Sequence, residues 1–246
     1  MIVVDNLCKQ FGAVQALDGV SFSALDGRIT GLLGANGAGK STTLRIISAV
    51  VRGDSGSARV DGLDCAGDAI GVRRQLGVLP HACGVYPNLT ARENIHYFAE
   101  LNGLTRAQCE ERIERWCAQL QMGEFIDRRA KGFSHGQKLK VALARALIHA
   151  PRNVILDEPT SGLDVAGTRA LRDVIRSLRD QGCCVLISSH IMQEVSALCD
   201  DVVIIAHGRV VMTGAPSDIV AQVGGRDLEE AFMRVSSLMG SDGASA

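Results

Sequence analysis

The sequence lacks the long apolar segment that a membrane-spanning helix requires. The 246 residues contain no run of about 18 or more uninterrupted apolar residues, so we expect no transmembrane helix. The first residues, MIVVD, contain no basic stretch followed by an apolar one, so we also expect no secretory signal peptide. Both observations predict a protein that stays in the cytosol.

The chain also lacks an excess of charge of either sign. It has 26 Lys and Arg against 27 Asp and Glu, which gives a formal net charge of −1. No global basic field therefore indicates binding to nucleic acid or to an anionic membrane. Hydrophobic residues make up 46% of the chain, which argues against disorder and allows one large core, or a core with a smaller lobe.

The eight cysteines lack the spacings that typify metal or dithiol sites. No Cys-x-x-Cys pair occurs among them. One interpretation is a redox or metal site, and the other is reduced thiols that serve as small apolar residues. Cys109 and Cys117 fall on the apolar stripe of a predicted helix, which favours the second interpretation.

Short β-type runs alternate with helical patterns, which predicts an α/β fold with a largely parallel sheet. The predicted strands are 2–4, 18–24, 29–33, 57–61, 76–79, 153–157, 183–188, 202–206 and 209–213, the last two joined by a hairpin-like turn. The predicted helices are 40–50, 91–101, 105–121, 135–149, 166–180 and 191–199.

The alternation is interrupted in the middle third of the chain, which is helical. We therefore expect a catalytic core formed by 1–82 and 150–235, with a helical subdomain, 83–149, inserted into it. The remaining segment, 236–246, is predicted to be a flexible tail.

The strongest motif is the segment 34–41, GANGAGKS, which matches the P-loop pattern. It follows an apolar strand and precedes a helix, where backbone N–H groups and the helix N-terminus can hold phosphates. Lys40 would reach the β- and γ-phosphates, and Ser41 would offer its hydroxyl to Mg²⁺. The alternative is a glycine-rich turn without a ligand. The predicted nucleotide-binding residues here are Gly34, Asn36, Gly37, Gly39, Lys40, Ser41 and Thr42.

A second motif places two carboxylates, Asp157 and Glu158, at the end of the apolar strand 153–157. Neighbouring residues on a strand point to opposite sides, so the two carboxylates should differ in role. We expect Asp157 to hold the Mg²⁺ shell and Glu158 to act as general base on the attacking water. Taken alone, this motif is often only the end of a strand.

With these two motifs, the sequence resembles the ATP-binding cassette (ABC) ATPases over about residues 1–235. That resemblance implies a P-loop NTPase with a RecA-like core, an antiparallel β subdomain and an inserted helical subdomain. The segment 133–137, FSHGQ, resembles the family signature, usually LSGGQ. In the family, the signature of one subunit closes over the nucleotide of the other, which implies this role for Ser134, Gly136 and Gln137. His135 replaces a glycine of that pattern.

Three further positions match the family. The segment 161–164, SGLD, resembles the D-loop, which the family uses at its dimer interface. His190 matches the switch histidine that contacts the γ-phosphate, and we count it with Lys40 and Glu158 as catalytic. Phe11 stands where the family stacks an aromatic ring on adenine, although a core role is the alternative.

The clearest departure from the family is His81, which stands where a glutamine usually helps to order Mg²⁺ and water. A neutral imidazole can accept a hydrogen bond or ligate a metal. The resemblance thus gives Ser41, Asp157 and His81 as metal ligands, with the role of His81 left open.

The resemblance implies the ATP-hydrolysing subunit of an ABC transporter, with ATP and Mg²⁺ as ligands. Its partners would be a second ATPase subunit, identical or related, and a separate transmembrane permease that holds it on the cytoplasmic face of the membrane. The segment 81–94 would receive the permease, with Val85, Tyr86 and Pro87 as contacts or, alternatively, as an ordinary surface turn.

We expect the transporter to export its substrate, and we expect that substrate to be sodium or a drug-like or lipid molecule. The competing hypotheses are a soluble ABC ATPase of translation or repair, a P-loop kinase or switch, and a slowly hydrolysing regulatory ABC subunit.

Overall fold

The structure is a computed structural model that describes residues 1–82 and 84–241, with side chains described as far as residue 235. The strands are β1 (Ile2–Phe11), β2 (Val14–Ala24), β3 (Ile29–Leu33), β4 (Ser55–Val60), β5 (Leu63–Asp64), β6 (Leu76–Leu79), β7 (Asn153–Asp157), β8 (Cys184–Ser189), β9 (Asp201–Ala206) and β10 (Arg209–Gly214). The helices are α1 (Lys40–Ile47), α2 (Ala69–Gln75), α3 (Ala91–Leu101), α4 (Arg106–Gln119), α5 (His135–Leu147), α6 (Val165–Asp180), α7 (Met192–Leu198), α8 (Pro216–Val223) and α9 (Leu228–Ser241).

The larger sheet has the order β10-β9-β3-β8-β7-β6 in the described part of the chain. All neighbours in it run parallel except β9 and β10, which form the predicted hairpin. Every residue of β3 and β8 is buried, because both faces of this sheet are covered. The α/β fold predicted from the sequence is therefore confirmed.

A second, antiparallel sheet has the order β2-β1-β4-β5. It shares one buried cluster with α1 and the larger sheet, in which Val4 of β1, Leu44 of α1 and Ile155 of β7 take part. This packing brings the β1–β2 hairpin close to the loop between β3 and α1.

Helices α3, α4 and α5 lie between β6 and β7, where the sequence predicts a helical insertion. Each begins with a capping box, in which Thr90, Thr105 and Ser134 are the N-cap residues. Their apolar faces continue the buried cluster that includes β3 and α9, so the helices and the larger sheet share one core. The division into a core and an inserted subdomain stays a prediction.

Several elements differ from the sequence-based expectation. Strand β1 extends to Phe11 and β2 begins at Val14, so both are longer than predicted. The sequence did not show these parts of the strands because register shifts in their pairing break the alternation of side chains that marks a strand. Helices α2, α8 and α9 were not predicted. Of the predicted tail, 236–241 belong to α9 and 242–246 lie outside the described residues.

The cysteines that the structure describes are free thiols. Cys109 and Cys117 are buried on α4, which confirms that they pack as apolar residues, whereas Cys83 lies outside the described residues. Burial raises the pKa of the Cys184 thiol to about 11, so this thiol is unreactive near neutral pH. Within the described chain, no helix is long and apolar enough to cross a membrane.

Candidate active site

The P-loop connects the buried end of β3 to the N-terminus of α1 and depends on two glycines. Gly39 has a φ of 113°, and a Cβ there would lie 2.7 Å from Leu17 Cδ2 and 2.8 Å from Ala16 O. A Cβ at Gly34 would lie 2.4 Å from Ile205 O. Neither position accepts a larger residue, so the loop stays close to β2 and β9 with its backbone free to contact a ligand.

Lys40 begins α1 and is almost fully buried, with 6% of its surface exposed. Its Nζ donates hydrogen bonds to Gly34 O at 2.6 Å and to Ala35 O at 3.1 Å, so the side chain folds back under the loop. Burial lowers the Lys40 pKa, and the charges of Glu158 and Asp157 oppose that shift. The ammonium group therefore lies against the loop, within the influence of the two carboxylate charges.

Strand β8 positions both carboxylates at the end of β7. Ser188 Oγ donates to Asp157 Oδ1 at 2.5 Å. The Glu158 N–H contacts Ser188 O at 3.2 Å and Ser188 Oγ at 3.1 Å. Glu158 has a φ of 52°, in the left-handed region that is uncommon for a side chain other than glycine. Such backbone strain is typical of functional sites.

His190 follows directly after β8 and contacts Glu158. Its Nδ1 lies 2.8 Å from Glu158 Oε2. The Glu158 side chain is 11% exposed and that of His190 is 53% exposed, so the pair stands at the boundary between core and solvent. The histidine holds one carboxylate oxygen and leaves the other for a second partner.

The P-loop and the two carboxylates line one cavity of about 280 Å³. Its lining residues are Val14, Gln15, Ala16, Asn36, Gly37, Gly39, Lys40, Ser41, Thr42, His81, Asp157 and Glu158. The structure thus brings together most residues predicted for nucleotide, metal and catalysis. The β2 residues from Val14 to Ala16 were not predicted, because no local motif marks them.

Phe11 does not line this cavity. It lies at the tip of the β1–β2 hairpin as the cross-strand neighbour of Val14, which does line it. Its side chain is 49% exposed, and Lys9 Nζ lies 5.3 Å from the ring centroid. Exposure at this level argues against the alternative core role.

The signature residues lie elsewhere on the same chain. Ser134, Gly136 and Gln137 line a second cavity of about 550 Å³, together with residues of the segment 162–164. Ser134 Oγ accepts from the Gln137 N–H at 3.2 Å, and Gln137 Oε1 accepts from the Ser134 N–H at 3.0 Å. One copy of the chain therefore does not place its own signature in its own P-loop cavity.

The residues at the P-loop cavity fit Mg²⁺ in their donor chemistry. Ser41 offers a hydroxyl oxygen and Asp157 a carboxylate, the hard oxygen donors that Mg²⁺ prefers. This ion is commonly held by one or two carboxylates together with phosphate oxygens and water, which suits a site beside a P-loop. His81 adds an imidazole, a less typical neighbour for Mg²⁺.

Comparison with known proteins agrees with this geometry. The family model for ABC transporters matches residues 17–161, more than half of the chain. The ABC transporter ATP-binding protein NatA of Bacillus subtilis is 41% identical, over 95% of this chain and 97% of the relative. The Nod factor export ATP-binding protein I of Paraburkholderia xenovorans is 36% identical, over 94% of this chain and 76% of the relative.

Among solved structures, the ATP-binding subunit of an ABC transporter is 30% identical and superposes with a TM-score of 0.90, over 96% of this chain and 99% of that one. The fold and the cavity define a P-loop nucleotide-binding protein. The chain belongs to the ABC transporter family, as one of its ATP-binding subunits, and these are ATPases.

Proposed function

We propose that the chain binds ATP and Mg²⁺ in the P-loop cavity and hydrolyses ATP to ADP and phosphate to drive export through a separate transmembrane permease. The observation that carries the proposal is the cavity lined by Lys40, the P-loop and Glu158, whose carboxylate in turn contacts His190. A merely structural glycine-rich turn would not need this arrangement.

The geometry of the cavity supports the following catalytic roles. Lys40 and the P-loop amides hold the phosphates, and charge stabilisation of this kind is the main source of catalysis in phosphoryl transfer. Glu158 takes a proton from the attacking water through the carboxylate oxygen that His190 leaves free. His190 orients this carboxylate and faces the γ-phosphate. Ser41 and Asp157, with His81 nearby, would hold Mg²⁺, which would neutralise charge on the phosphates.

The hydrolytic unit is proposed to be a two-fold dimer of this chain, or of this chain and a close relative. Ser134 is exposed at the N-terminus of α5, where a helix favours an anion, and it lies outside its own P-loop cavity. A two-fold axis would put each signature over the nucleotide of the other copy. Phe11, at the hairpin tip, is proposed to stack on adenine.

The permease is proposed to dock at the groove between β6 and the helices α3 and α5. Arg145 of α5 donates to Gly84 O at 2.5 Å, and its guanidinium lies 3.8 Å from the ring centroid of Phe98. Tyr86 is 46% exposed and its ring centroid lies 5.9 Å from the Arg145 guanidinium, whereas Val85 packs against the core. Tyr86 and Pro87 are therefore better contacts than Val85, and docking there would hold the subunit on the cytoplasmic face of the membrane.

Export is the proposed direction because a relative of this chain carries export in its name. The proposed cargo is sodium or a drug-like or lipid molecule. No nucleic-acid partner is proposed, since the net charge of −1 offers no global basic field.

The test of hydrolysis is phosphate release by the purified chain with ATP and Mg²⁺. We expect Glu158→Gln to lower kcat by about 100-fold or more, because a general base contributes at least about that factor. Binding of ATP should change little, because glutamine keeps the shape of the glutamate side chain and only its negative charge is lost. A Glu158→Gln variant that hydrolyses ATP like the wild type would contradict the assignment.

A further inference from the structure

His135 occupies a position between two functional segments. It is the first residue of α5, next to Ser134, and its imidazole is exposed. Its Nε2 lies 2.9 Å from Ser161 O. Ser161 belongs to the loop 158–164, which begins at Glu158 and ends where Asp164 caps α6. One side chain thus connects the start of the signature helix to the loop that carries the general base.

The contact between the ring and this loop is close as well as polar. Gly162 has a φ of 75°, and a Cβ there would lie 3.0 Å from His135 Cδ2 and 3.3 Å from His135 Nε2. The imidazole therefore lies directly against the Gly162 backbone. A glycine at position 135, as in the usual family pattern, could make neither this packing contact nor the hydrogen bond.

The ends of the loop are fixed by other elements. The Glu158 N–H is held by Ser188 of β8, and Asp164 Oδ1 accepts from the Gly167 N–H at 2.7 Å. Thr160 Oγ1 donates to Glu194 Oε2 at 2.5 Å. The middle of the loop, at Ser161 and Gly162, is where His135 makes contact.

We infer that His135 is a positioning residue for hydrolysis, whose imidazole ties the N-terminus of α5 to the loop that carries Glu158. The inference rests on the proposed function and deepens it. In the proposed dimer, Ser134 serves the nucleotide of one site and Glu158 that of the other. The bond from His135 to Ser161 therefore links the two nucleotide sites within one chain.

Loss of this link should affect turnover more than binding. A neutral hydrogen bond contributes about 1 kcal/mol, which corresponds to about a fivefold change in the population of the bonded loop position. We expect His135→Ala to lower kcat about fivefold, with less than about a twofold change in KM for ATP and a lower Hill coefficient. His135→Gln, whose Nε2 can donate to the same carbonyl, should restore at least half of kcat.

The experiment measures phosphate release against ATP concentration for wild type, His135→Ala, His135→Gln and Glu158→Gln, with His96→Ala as a surface histidine control on α3. Amide hydrogen exchange of residues 159–164 is followed in parallel and should become faster in His135→Ala. Thermal unfolding of each variant shows that the fold is kept.

The outcomes separate the inference from the proposed function. If Glu158→Gln is inactive while His135→Ala matches the wild type in kcat and in exchange, the inference is wrong and the function stands. If both His135 variants lose activity equally, the hydrogen bond is not the cause, which also overturns the inference. A Glu158→Gln variant with wild-type activity would overturn the role of Glu158 as general base. In that case, unchanged amide hydrogen exchange of residues 159–164 in His135→Ala would separately overturn the link between His135 and the loop.

Discussion

At the scale of single residues, the proposed chemistry depends on how Glu158 is held. Its backbone has a positive φ and is fixed by Ser188, and its side chain contacts His190 at 2.8 Å. These contacts leave the carboxylate few orientations, and a general base must be positioned to within hydrogen-bond reach of the water that it activates.

The first prediction concerns His190. A hydrogen bond to a charged group contributes about 1.5–3 kcal/mol, so His190→Ala should lower kcat by about 10-fold to 100-fold. His190→Gln retains a donor and should lose less. Single-turnover hydrolysis measures the chemical step directly. A His190→Ala variant with wild-type kcat would show that the contact with Glu158 has no catalytic role.

Most of the candidate site could be predicted at this scale because its motifs are local. The P-loop lies within eight consecutive residues, and Asp157 and Glu158 are neighbours. Ser188 and the β2 residues that line the cavity could not be predicted in the same way. Their placement depends on sheet order and on hairpin packing, and no short sequence pattern encodes these long-range contacts.

At the scale of elements, the N-terminus of α5 combines a helix cap with a proposed contact to nucleotide, and the two can be separated. Ser134 caps the helix, and Thr105 caps α4 with the same capping-box geometry. Both serines and threonines stabilise a helix in this way, so the cap alone does not distinguish a signature residue from a structural one.

The second prediction uses these two caps as a matched pair. Ser134→Ala and Thr105→Ala should each lower the free energy of unfolding by about 1 kcal/mol, because each removes an N-cap. Only Ser134→Ala should also lower ATP hydrolysis. Ser134→Asp should restore the stability but not the activity, since a carboxylate caps the helix yet repels phosphate. Urea unfolding and phosphate release measure the two effects, and equal activity in both alanine variants would argue for a purely structural cap.

The elements that were missed lack a clear local signal in the sequence, each for its own reason. In β1, register shifts occur between Val4 and Leu7 and again near Lys9, so the alternation of buried and exposed residues is lost beyond Val4. Helix α8 begins with Pro216 after an N-cap without a side-chain bond, and α2 is only seven residues long. The predicted helices α4, α5 and α6, by contrast, each carry an apolar face that repeats with the helical period.

At the scale of the whole molecule, the two halves of the proposed reaction site lie apart. Lys40 and Glu158 line one cavity, and Ser134 and Gly136 line another. In the proposed dimer, two copies related by a two-fold axis would resolve this separation, because each copy would contribute one half to each site.

The most direct test of this claim is the molecular mass in solution of the Glu158→Gln variant, measured by light scattering after size exclusion. With ATP and Mg²⁺ we expect a dimer of about twice the 26.1 kDa of the chain, and a monomer with ADP or after an added Ser134→Arg substitution. A Glu158→Gln chain that binds ATP yet stays at 26.1 kDa under saturating nucleotide would contradict an account in which two copies of this chain share the nucleotide.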